Sequence, residues 1–253
     1  MQDILELEPP KADGRVKYGP DPLNFADVRW PSTKKPWPMV MNIHGGFWRA
    51  AYDLTHAGHL CAALTKAGMA TFNIEYRRVG DPGGSWPGTF EDIRNAYAYL
   101  QQNASSMGCD PAKIAVMGHS AGGHLAVCLA GHEQTATRVV SLAGVLDLRK
   151  AYELHLSSNA VVEFLGGTPE QMPDHYKEAS PFELPVQAKQ VVIAGSKDNV
   201  VPPDFSSRYA AEKKKRGETV EFVDIQDAGH FDVIDPRTKV FQIVLEQTRR
   251  LLS

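Results

Sequence analysis

The stretch 118-GHSAGGHLAVCLAG-131 places one serine between two glycines and follows it with a run of small residues. Its first five residues match the pattern G-x-S-x-G, which marks a nucleophilic serine on a sharp turn between a strand and a helix. The pattern is weak by itself, because ordinary glycine and serine usage produces it by chance in about one chain of this length in ten. Whether Ser120 is a nucleophile therefore depends on the residues around it.

Short apolar runs alternate with longer amphipathic stretches on both sides of this pentapeptide. Most of the runs are almost continuously apolar, as expected of strands that are buried on both faces of a parallel sheet. The predicted strands cover 38–44, 69–76, 113–119, 138–144, 190–195 and 219–225. The predicted helices cover about 53–67, 89–102, 121–131, 204–216 and 236–252. This alternation predicts an α/β fold with a central, mostly parallel sheet and helices on both faces.

Three segments add detail to this architecture. Residues 20–31 are expected to supply an antiparallel strand at the edge of the sheet. Thr89 and Asp92, at the start of the helix predicted over 89–102, have a spacing that resembles a capping box. The chain has no internal repeat or low-complexity linker, so residues 1–253 are expected to form one domain.

The interval of about 147–187 breaks the alternation of strands and helices. It is rich in glycine and proline and contains one plausible helix, at 158–165. Long excursions from a compact sheet are usually functional. We therefore expect this insertion to form a short cap or a wall of the substrate pocket, with a plain surface excursion as the alternative.

Composition and charge narrow the class of protein. The chain is 43% hydrophobic and 23% charged, which is ordinary for a globular protein, and its net charge of −3 gives no reason to expect nucleic acid or an anionic membrane as a partner. Three cysteines without C-x-x-C spacing argue against a disulfide framework and a cysteine zinc site. Residues 1–17 lack the features of a secretory signal, and no apolar run approaches the length of a membrane span. We expect a cytoplasmic protein, whose oligomeric state these features leave open.

Ser120 falls where the strand predicted over 113–119 meets a helix that begins at Ala121. A nucleophile on such a turn has a strained backbone and needs small neighbours, because the strand and the helix pass close to each other there. The glycines at this turn are Gly118, Gly122 and Gly123. The N-terminus of the helix directs free N–H groups toward the serine, which favours negative charge on a bound carbonyl oxygen.

A serine nucleophile needs a general base and an acid that orients it, in the chain order serine, acid, histidine for this kind of turn. His230 is the predicted base, because it lies in a glycine-containing loop after the last strand, where α/β sites form. Asp198, on the turn beyond the strand 190–195, is the predicted acid. Asp147 is its rival but fits a helix cap equally well. Six further histidines are interpreted as surface or packing residues: His56, His59, His119, His124, His132 and His155.

A loop after an early strand completes the predicted site. In this arrangement the oxyanion hole takes one N–H from the residue after the nucleophile, Ala121, and another from a loop that follows an early strand. Here that loop is 44-HGGFW-48, after the strand 38–44. Its glycines allow backbone N–H groups to approach a substrate oxygen. Together with the turn at Ser120, this loop indicates that Ser120 is a nucleophile.

With these motifs, the chain resembles α/β-hydrolases of the esterase/lipase group that includes kynurenine formamidases and small carboxylesterases. The resemblance rests on 44-HGGFW-48, 75-EYRR-78, 85-SWPGTFEDI-93, 118-GHSAGG-123, 195-GSKD-198 with Val201-Pro202, and 229-GHF-231. It implies an α/β-hydrolase fold with a catalytic triad of Ser120, Asp198 and His230. It also implies an oxyanion hole whose donors are the N–H groups of Gly46, Phe47 and Ala121.

Three aromatic residues bear on the substrate. Phe47 stands where hormone-sensitive-lipase-type esterases carry a third glycine, and the H-G-G-x-W form is closer to the kynurenine formamidase pattern. Its side chain leaves the N–H in place but restricts the conformations of the loop. Trp48 and Trp86 are expected to bind substrate as aromatic walls of the pocket, with a role in the core as the alternative.

The resemblance implies acyl transfer to Ser120, followed by hydrolysis of the acyl-enzyme. The favoured function is that of a carboxylesterase acting on a small ester. The alternatives are an arylformamidase that hydrolyses N-formylkynurenine, a carbohydrate acetyl or feruloyl esterase, and a non-catalytic binding protein on the same fold. We expect no metal ion and no organic cofactor, because the mechanism needs neither and no metal-ligand spacing is visible.

Overall fold

The computed structural model describes residues 3–253, and one eight-stranded sheet forms its centre. The strand order is β1-β2-β4-β3-β5-β6-β7-β8. The strands are β1 (Gly14–Lys17), β2 (Phe25–Arg29), β3 (Trp37–Ile43), β4 (Ala70–Ile74), β5 (Cys109–His119), β6 (Arg138–Leu142), β7 (Lys189–Gly195) and β8 (Val220–Ile225). β3 to β8 run parallel, whereas β2 is antiparallel to both of its neighbours, β1 and β4. The carboxyl ends of the six parallel strands therefore share one edge, which is where α/β proteins form their sites.

Helices cover both faces of the sheet. They are α1 (Gly58–Lys66), α2 (Gly88–Asn103), α3 (Ala121–His132), α4 (Leu148–Glu153), α5 (Ala160–Leu165), α6 (Pro173–Ala179), α7 (Asp204–Lys215) and α8 (Val240–Leu252). α1 and α8 contribute to one buried apolar cluster, and α2, α3 and α7 contribute to the other. Along β5, Val116 belongs to one cluster while Ala115 and Met117 belong to the other. Because both faces of the strand are buried, its sequence is a continuous apolar run.

The sequence predicted all six parallel strands, and the mostly parallel sheet with helices on both faces is confirmed. The edge strand needs a correction. The antiparallel strand expected within 20–31 exists as β2, but β1 lies outside it and forms the edge of the sheet. The expectation that residues 1–253 form one domain stays a prediction, and residues 1 and 2 lie outside the described part of the chain.

The insertion at 147–187 contains three short helices, α4, α5 and α6, rather than one. Phe164 of α5 stacks on Trp48 with ring centroids 4.7 Å apart, and its backbone oxygen accepts a hydrogen bond from the N–H of Trp86 at 2.8 Å. Arg49 donates to both carboxylate oxygens of Glu163, at 2.8 and 2.9 Å. The insertion is thereby fixed against the segments that follow β3 and β4.

Within the described chain, residues 3–253, each helix is too short or too polar to span a lipid bilayer.

Candidate active site

Ser120 is the single residue between the end of β5 and the start of α3. Its backbone has φ 56° and ψ −119°, a region that residues other than glycine seldom adopt and that costs about 1–3 kcal/mol. Hydrogen bonds hold the residue in place: its N–H donates to Leu142 O at 2.8 Å, and its carbonyl accepts from the N–H of His124 at 3.0 Å. The strained turn lifts the serine to the carboxyl edge of the sheet, as a nucleophile requires.

Glycines make this turn possible. A Cβ on Gly122 would lie 2.0 Å from the carbonyl oxygen of Ile43, and a Cβ on Gly118 would lie 2.1 Å from the oxygen of Gly122. Both contacts are with backbone atoms, which cannot move aside. α3 can therefore approach β3 only because these positions carry no side chain.

Asp198 and His230 come from different loops and form a buried pair. The Nδ1–H of His230 donates to Asp198 Oδ2 at 2.6 Å, and the two residues are 4% and 6% exposed. Asp198 Oδ1 accepts from the backbone N–H groups of Val200 and Val201, both at 2.9 Å, which fixes the plane of the carboxylate. With its proton on Nδ1, the imidazole presents an unshared pair on Nε2. This is the tautomer that a general base needs.

Ser120 and His230 line the same cavity, of about 220 Å³. The lining residues are Leu5, Gly46, Phe47, Tyr52, His56, His119, Ser120, Val200, His230 and Phe231. Apart from Ser120, the histidines and Tyr52, the lining side chains are apolar. No lining residue comes from the insertion at 147–187, whereas Leu5 of the 3₁₀ turn Ile4–Glu6 lines the cavity.

Three backbone N–H groups form a candidate oxyanion hole: those of Gly46 and Phe47, which line the cavity, and that of Ala121, which follows Ser120. Gly46 and Phe47 have φ of 110° and 49°, so the loop after β3 is held in left-handed conformations. The N–H groups of Gly46, Phe47 and Ala121 donate to no protein acceptor within the described residues, 3–253. Ala121 is the first residue of α3, where the helix dipole adds positive potential. These free donors could bind an oxygen that gains negative charge.

The structure does not bring Trp48 and Trp86 to this cavity, which corrects the expectation that they form its walls. Trp48 is 1% exposed, and its Nε1–H donates to His124 Nδ1 at 3.1 Å. The Trp86 ring is also buried and stacks on Phe90 with centroids 5.0 Å apart. Both indoles pack in the core, where Trp48 contacts His124 of α3 and Phe164 of α5, and Trp86 also contacts Phe164.

His119 is a site residue that the sequence interpretation missed. Its Nε2 lies 2.9 Å from the carbonyl oxygen of His230, and since a carbonyl only accepts, the proton is on Nε2. Burial lowers the pKa of His119 well below its usual value, and the charges of His230 and His56 lower it further. The neutral ring therefore holds the backbone of the candidate base. Its position next to Ser120 in the sequence was the signal that could have identified His119 as a site residue. No such signal marked Leu5 or Tyr52 as lining the cavity.

The described residues, 3–253, contain no cluster of side chains typical of a metal site. Among residues 3–253, no three His, Cys, Asp or Glu side chains come together as metal ligands would. The three cysteines, Cys61, Cys109 and Cys128, are free thiols buried in the fold.

The strand order and the strained serine at the end of β5 define an α/β-hydrolase fold. A sequence model of the family named BD-FAE matches residues 26–212, well over half of the chain. The chain belongs to the BD-FAE family.

Comparisons with individual proteins agree with this fold. The chain is 27% identical to esterase LipC of Mycobacterium tuberculosis (strain ATCC 25618 / H37Rv), over 93% of the chain and 65% of LipC. It is 28% identical to esterase LipQ of the same organism, over 78% of the chain and 51% of LipQ. The chain thus spans only about half to two thirds of the length of these curated relatives.

Two solved structures share the whole architecture. A truncated form of a carbohydrate esterase from gut microbiota superimposes with a TM-score of 0.84 at 23% identity, covering 97% of this chain and 99% of that one. Propionate-bound esterase Est2 of Thermogutta terrifontis superimposes with a TM-score of 0.76 at 24% identity, covering 94% of this chain and 93% of that one. At these identities the likeness shows the fold.

Proposed function

We propose that the protein is a serine carboxylesterase that hydrolyses small esters. The observation that carries this proposal is the 2.6 Å hydrogen bond between buried Asp198 and His230, at the cavity where Ser120 stands on a strained turn. A base oriented by a buried acid beside a serine is the arrangement that activates a hydroxyl nucleophile. Curated relatives that are named esterases support the same reaction class.

The proposed reaction has two stages. His230 Nε2 takes the hydroxyl proton while Ser120 Oγ attacks the ester carbonyl, and Asp198 stabilises the imidazolium that forms. His230 then gives the proton to the leaving alcohol as the acyl-enzyme appears. Water, deprotonated by the same imidazole, attacks the acyl-enzyme; the bond to Ser120 Oγ then breaks, His230 returns the proton to Oγ, and the carboxylic acid leaves. Each stage passes through a tetrahedral oxyanion.

The N–H groups of Gly46, Phe47 and Ala121 are proposed to bind that oxyanion. Among residues 3–253 none of the three donates to a protein acceptor, so no hydrogen bond within this part of the chain has to break when the negative charge develops. Preorganised donors of this kind contribute much of the rate of acyl transfer, about a hundred- to a thousand-fold for one donor.

The cavity favours a short, apolar ester. Its volume of about 220 Å³ is smaller than the ~300–1,000 Å³ of ordinary ligand pockets. Leu5, Phe47, Val200 and Phe231 give it largely apolar walls, so outside Ser120 and the histidines only Tyr52 offers a polar side chain to a sugar. We therefore place a carbohydrate acetyl or feruloyl ester behind a small aliphatic one.

No observation favours the arylformamidase alternative over an esterase. The two tryptophans expected to accept an aryl group, Trp48 and Trp86, lie in the core.

We propose that the insertion at 147–187 supports the site from behind, since Phe164 packs on Trp48, the neighbour of Phe47. A cytoplasmic location and the lack of nucleic-acid or membrane partners stay predictions.

The test is hydrolysis of p-nitrophenyl acetate, p-nitrophenyl decanoate and N-formyl-L-kynurenine by the wild type and by Ser120→Ala, together with labelling by a fluorophosphonate. We expect the acetate to be the best substrate, and both its turnover and the labelling to disappear in Ser120→Ala. A wild type that neither turns over these substrates nor reacts with the fluorophosphonate would refute the proposal. A higher kcat/KM for the formamide would replace the esterase with an arylformamidase.

A further inference from the structure

Gly45 lies between two histidines directly behind the serine turn. Its N–H donates to His56 Nε2 at 3.3 Å, and its carbonyl oxygen lies 2.8 Å from His44 Nδ1. A Cβ on Gly45 would lie 3.1 Å from Ser120 Cβ and 2.8 Å from the carbonyl oxygen of His119. The glycine therefore packs against Ser120. His56 accepts from its N–H, and His44 contacts its carbonyl oxygen.

Both ring nitrogens of His44 face oxygens that only accept hydrogen bonds. Nδ1 faces the Gly45 carbonyl, and Nε2 lies 3.0 Å from Glu75 Oε1. A neutral imidazole carries one N–H, so either tautomer would set an unshared pair on nitrogen against an unshared pair on oxygen. His44 has no exposed surface, so water cannot relieve this repulsion. The imidazolium, with a proton on each nitrogen, satisfies both contacts.

Glu75 supplies the matching negative charge. Besides His44, its carboxylate accepts from the N–H groups of Leu54 at 3.1 Å and Tyr76 at 3.0 Å, and Arg78 Nη1 lies 3.0 Å away. Burial alone would raise the pKa of Glu75, but the hydrogen bond from His44 and the charges of His44 and Arg78 lower it overall. A buried carboxylate with three hydrogen-bond donors and a guanidinium beside it stays ionised, and an ionised carboxylate favours a charged partner.

The groups around His44 and His56 indicate opposite protonation states for these two histidines. The Tyr76 ring stacks on His44 with centroids 4.4 Å apart, and the His56 ring meets it edge-on at 5.7 Å. Asp53 caps the turn that carries His56 and faces the same cluster. Burial, followed by the charge of His44, lowers the pKa of His56 to about 3. His56 is therefore neutral and accepts from Gly45, while His44 donates to it.

We propose that His44 is held as an imidazolium at neutral pH and that it fixes the peptide whose N–H completes the oxyanion hole, while neutral His56 holds the N–H of the preceding peptide. The carbonyl of Gly45 and the N–H of Gly46 belong to one planar trans peptide and point in opposite directions. Since His44 holds the carbonyl, the N–H is directed away from His44, and Gly46 lines the cavity. His44 is thus a positioning residue, and its part in catalysis rests on the function proposed above.

The protonation state is tested by NMR of the protein labelled with ¹⁵N-histidine, between pH 6 and 8.5. We expect one of the nine imidazoles to carry protons on both nitrogens across this range and its signals to vanish in His44→Gln. In Glu75→Gln, which keeps an acceptor but removes the charge, the same ring should lose one proton. A His44 ring that loses a proton between pH 6 and 8 in the wild type would overturn the proposal.

The positioning role is tested by the kinetics of p-nitrophenyl acetate hydrolysis. We expect His44→Gln to lower kcat about 100-fold, comparable to the loss of one hole donor, with KM changed less than about threefold. Glu75→Gln should lower kcat about tenfold, and it keeps the proposal testable if His44→Gln does not fold. The matched control is His155→Gln, because His155 is exposed on the insertion and its ring contacts only its neighbours there, Asn159 and Tyr152, among residues 3–253.

The two proposals fail in different ways. An active wild type whose His44 ring is neutral overturns the inference and leaves the esterase in place. An active wild type with the imidazolium, but with His44→Gln as active as His155→Gln, overturns the positioning role. A wild type that has the imidazolium but neither turns over esters nor reacts with the fluorophosphonate overturns the proposed function, and the role of the Gly46 N–H with it.

Discussion

At the scale of single residues, Asp198 and Asp147 illustrate how similar carboxylates take different roles. Asp198 accepts from His230 and from two backbone N–H groups, whereas Asp147 caps α4 by accepting from the N–H of Lys150 at 3.0 Å. The sequence favoured Asp198 because it lies on the turn beyond a strand and matches the family pattern, whereas Asp147 fits a helix cap equally well. The structure places Asp198, and not Asp147, against His230.

We predict that Asp198→Asn lowers kcat for p-nitrophenyl acetate about 10³–10⁴-fold, because an amide does not hold the tautomer of His230 that accepts a proton. Asp147→Asn is the matched control, since asparagine caps helices as well as aspartate does, and its kcat should stay within about twofold. Steady-state kinetics of the two purified variants test this. Equal losses in both would contradict the assignment of the acid.

A second prediction concerns the indole of Trp48, which donates to His124 inside the core. Trp48→Phe should lower the free energy of unfolding by about 1–3 kcal/mol, because His124 Nδ1 then stays buried without a donor. KM should not change for aromatic or aliphatic esters. Urea titration measures the change in stability and steady-state kinetics measure KM, with Trp30→Phe as the control. A KM increase confined to aromatic esters would show that Trp48 lines the pocket.

At the scale of elements, burial decides what the sequence could predict. The six parallel strands were predictable because both of their faces are covered, which leaves a continuous apolar run. β1 was not, since its residues are mostly exposed and polar. The capping box expected at Thr89 and Asp92 is wrong: α2 begins at Gly88, and Asp92 instead accepts from Arg77 at 2.8 Å. Such a long-range ion pair has no local signature.

The glycines of α3 yield a prediction about how the element is placed. Gly122→Ala should lower the free energy of unfolding by more than about 3 kcal/mol, because the new Cβ would meet the backbone of β3 at 2.0 Å. Gly131→Ala, on the same helix, meets only the Leu184 side chain at 3.0 Å and should stay within about 1 kcal/mol. Thermal or urea unfolding compares the two, and similar stabilities would contradict the packing argument.

At the scale of the whole molecule, the sequence predicted a mostly parallel sheet with helices on both faces and showed the order of the motifs along the chain. It could not reveal which distant segments meet at the cavity. Leu5, Tyr52 and Val200 converge on Ser120 from three loops that are far apart in sequence. Their meeting depends on how loops pack at the carboxyl edge of the sheet, and no periodic pattern records that.

Three buried neutral histidines predict acid sensitivity of the whole fold. Burial lowers the pKa of His124 to about 4 and of His56 to about 3, and the pKa of His119 also lies well below its usual value. Below pH ~6.5 the unfolded chain binds protons that the folded protein excludes, so each histidine lowers the free energy of unfolding by about 1.4 kcal/mol per pH unit. This loss should extend from pH ~6.5 down to pH ~4.

Urea unfolding at pH 7.5, 6 and 5 measures how the free energy of unfolding depends on pH. His124→Gln should reduce that dependence by the contribution of one histidine, about 1.4 kcal/mol per pH unit. A free energy of unfolding that stays constant between pH 6.5 and 5 would show that these rings become protonated inside the folded protein.

Leu5 on the cavity wall has a practical consequence for anyone who handles this protein. A purification tag or fusion partner attached ahead of that residue would join the chain close to the cavity that Ser120 and His230 line. Ser253, by contrast, shares a surface recess with Arg138, Lys189 and Val220, at the starts of β6, β7 and β8. Attachment there, on the opposite edge of the sheet, keeps the added segment away from that cavity during immobilisation and assay.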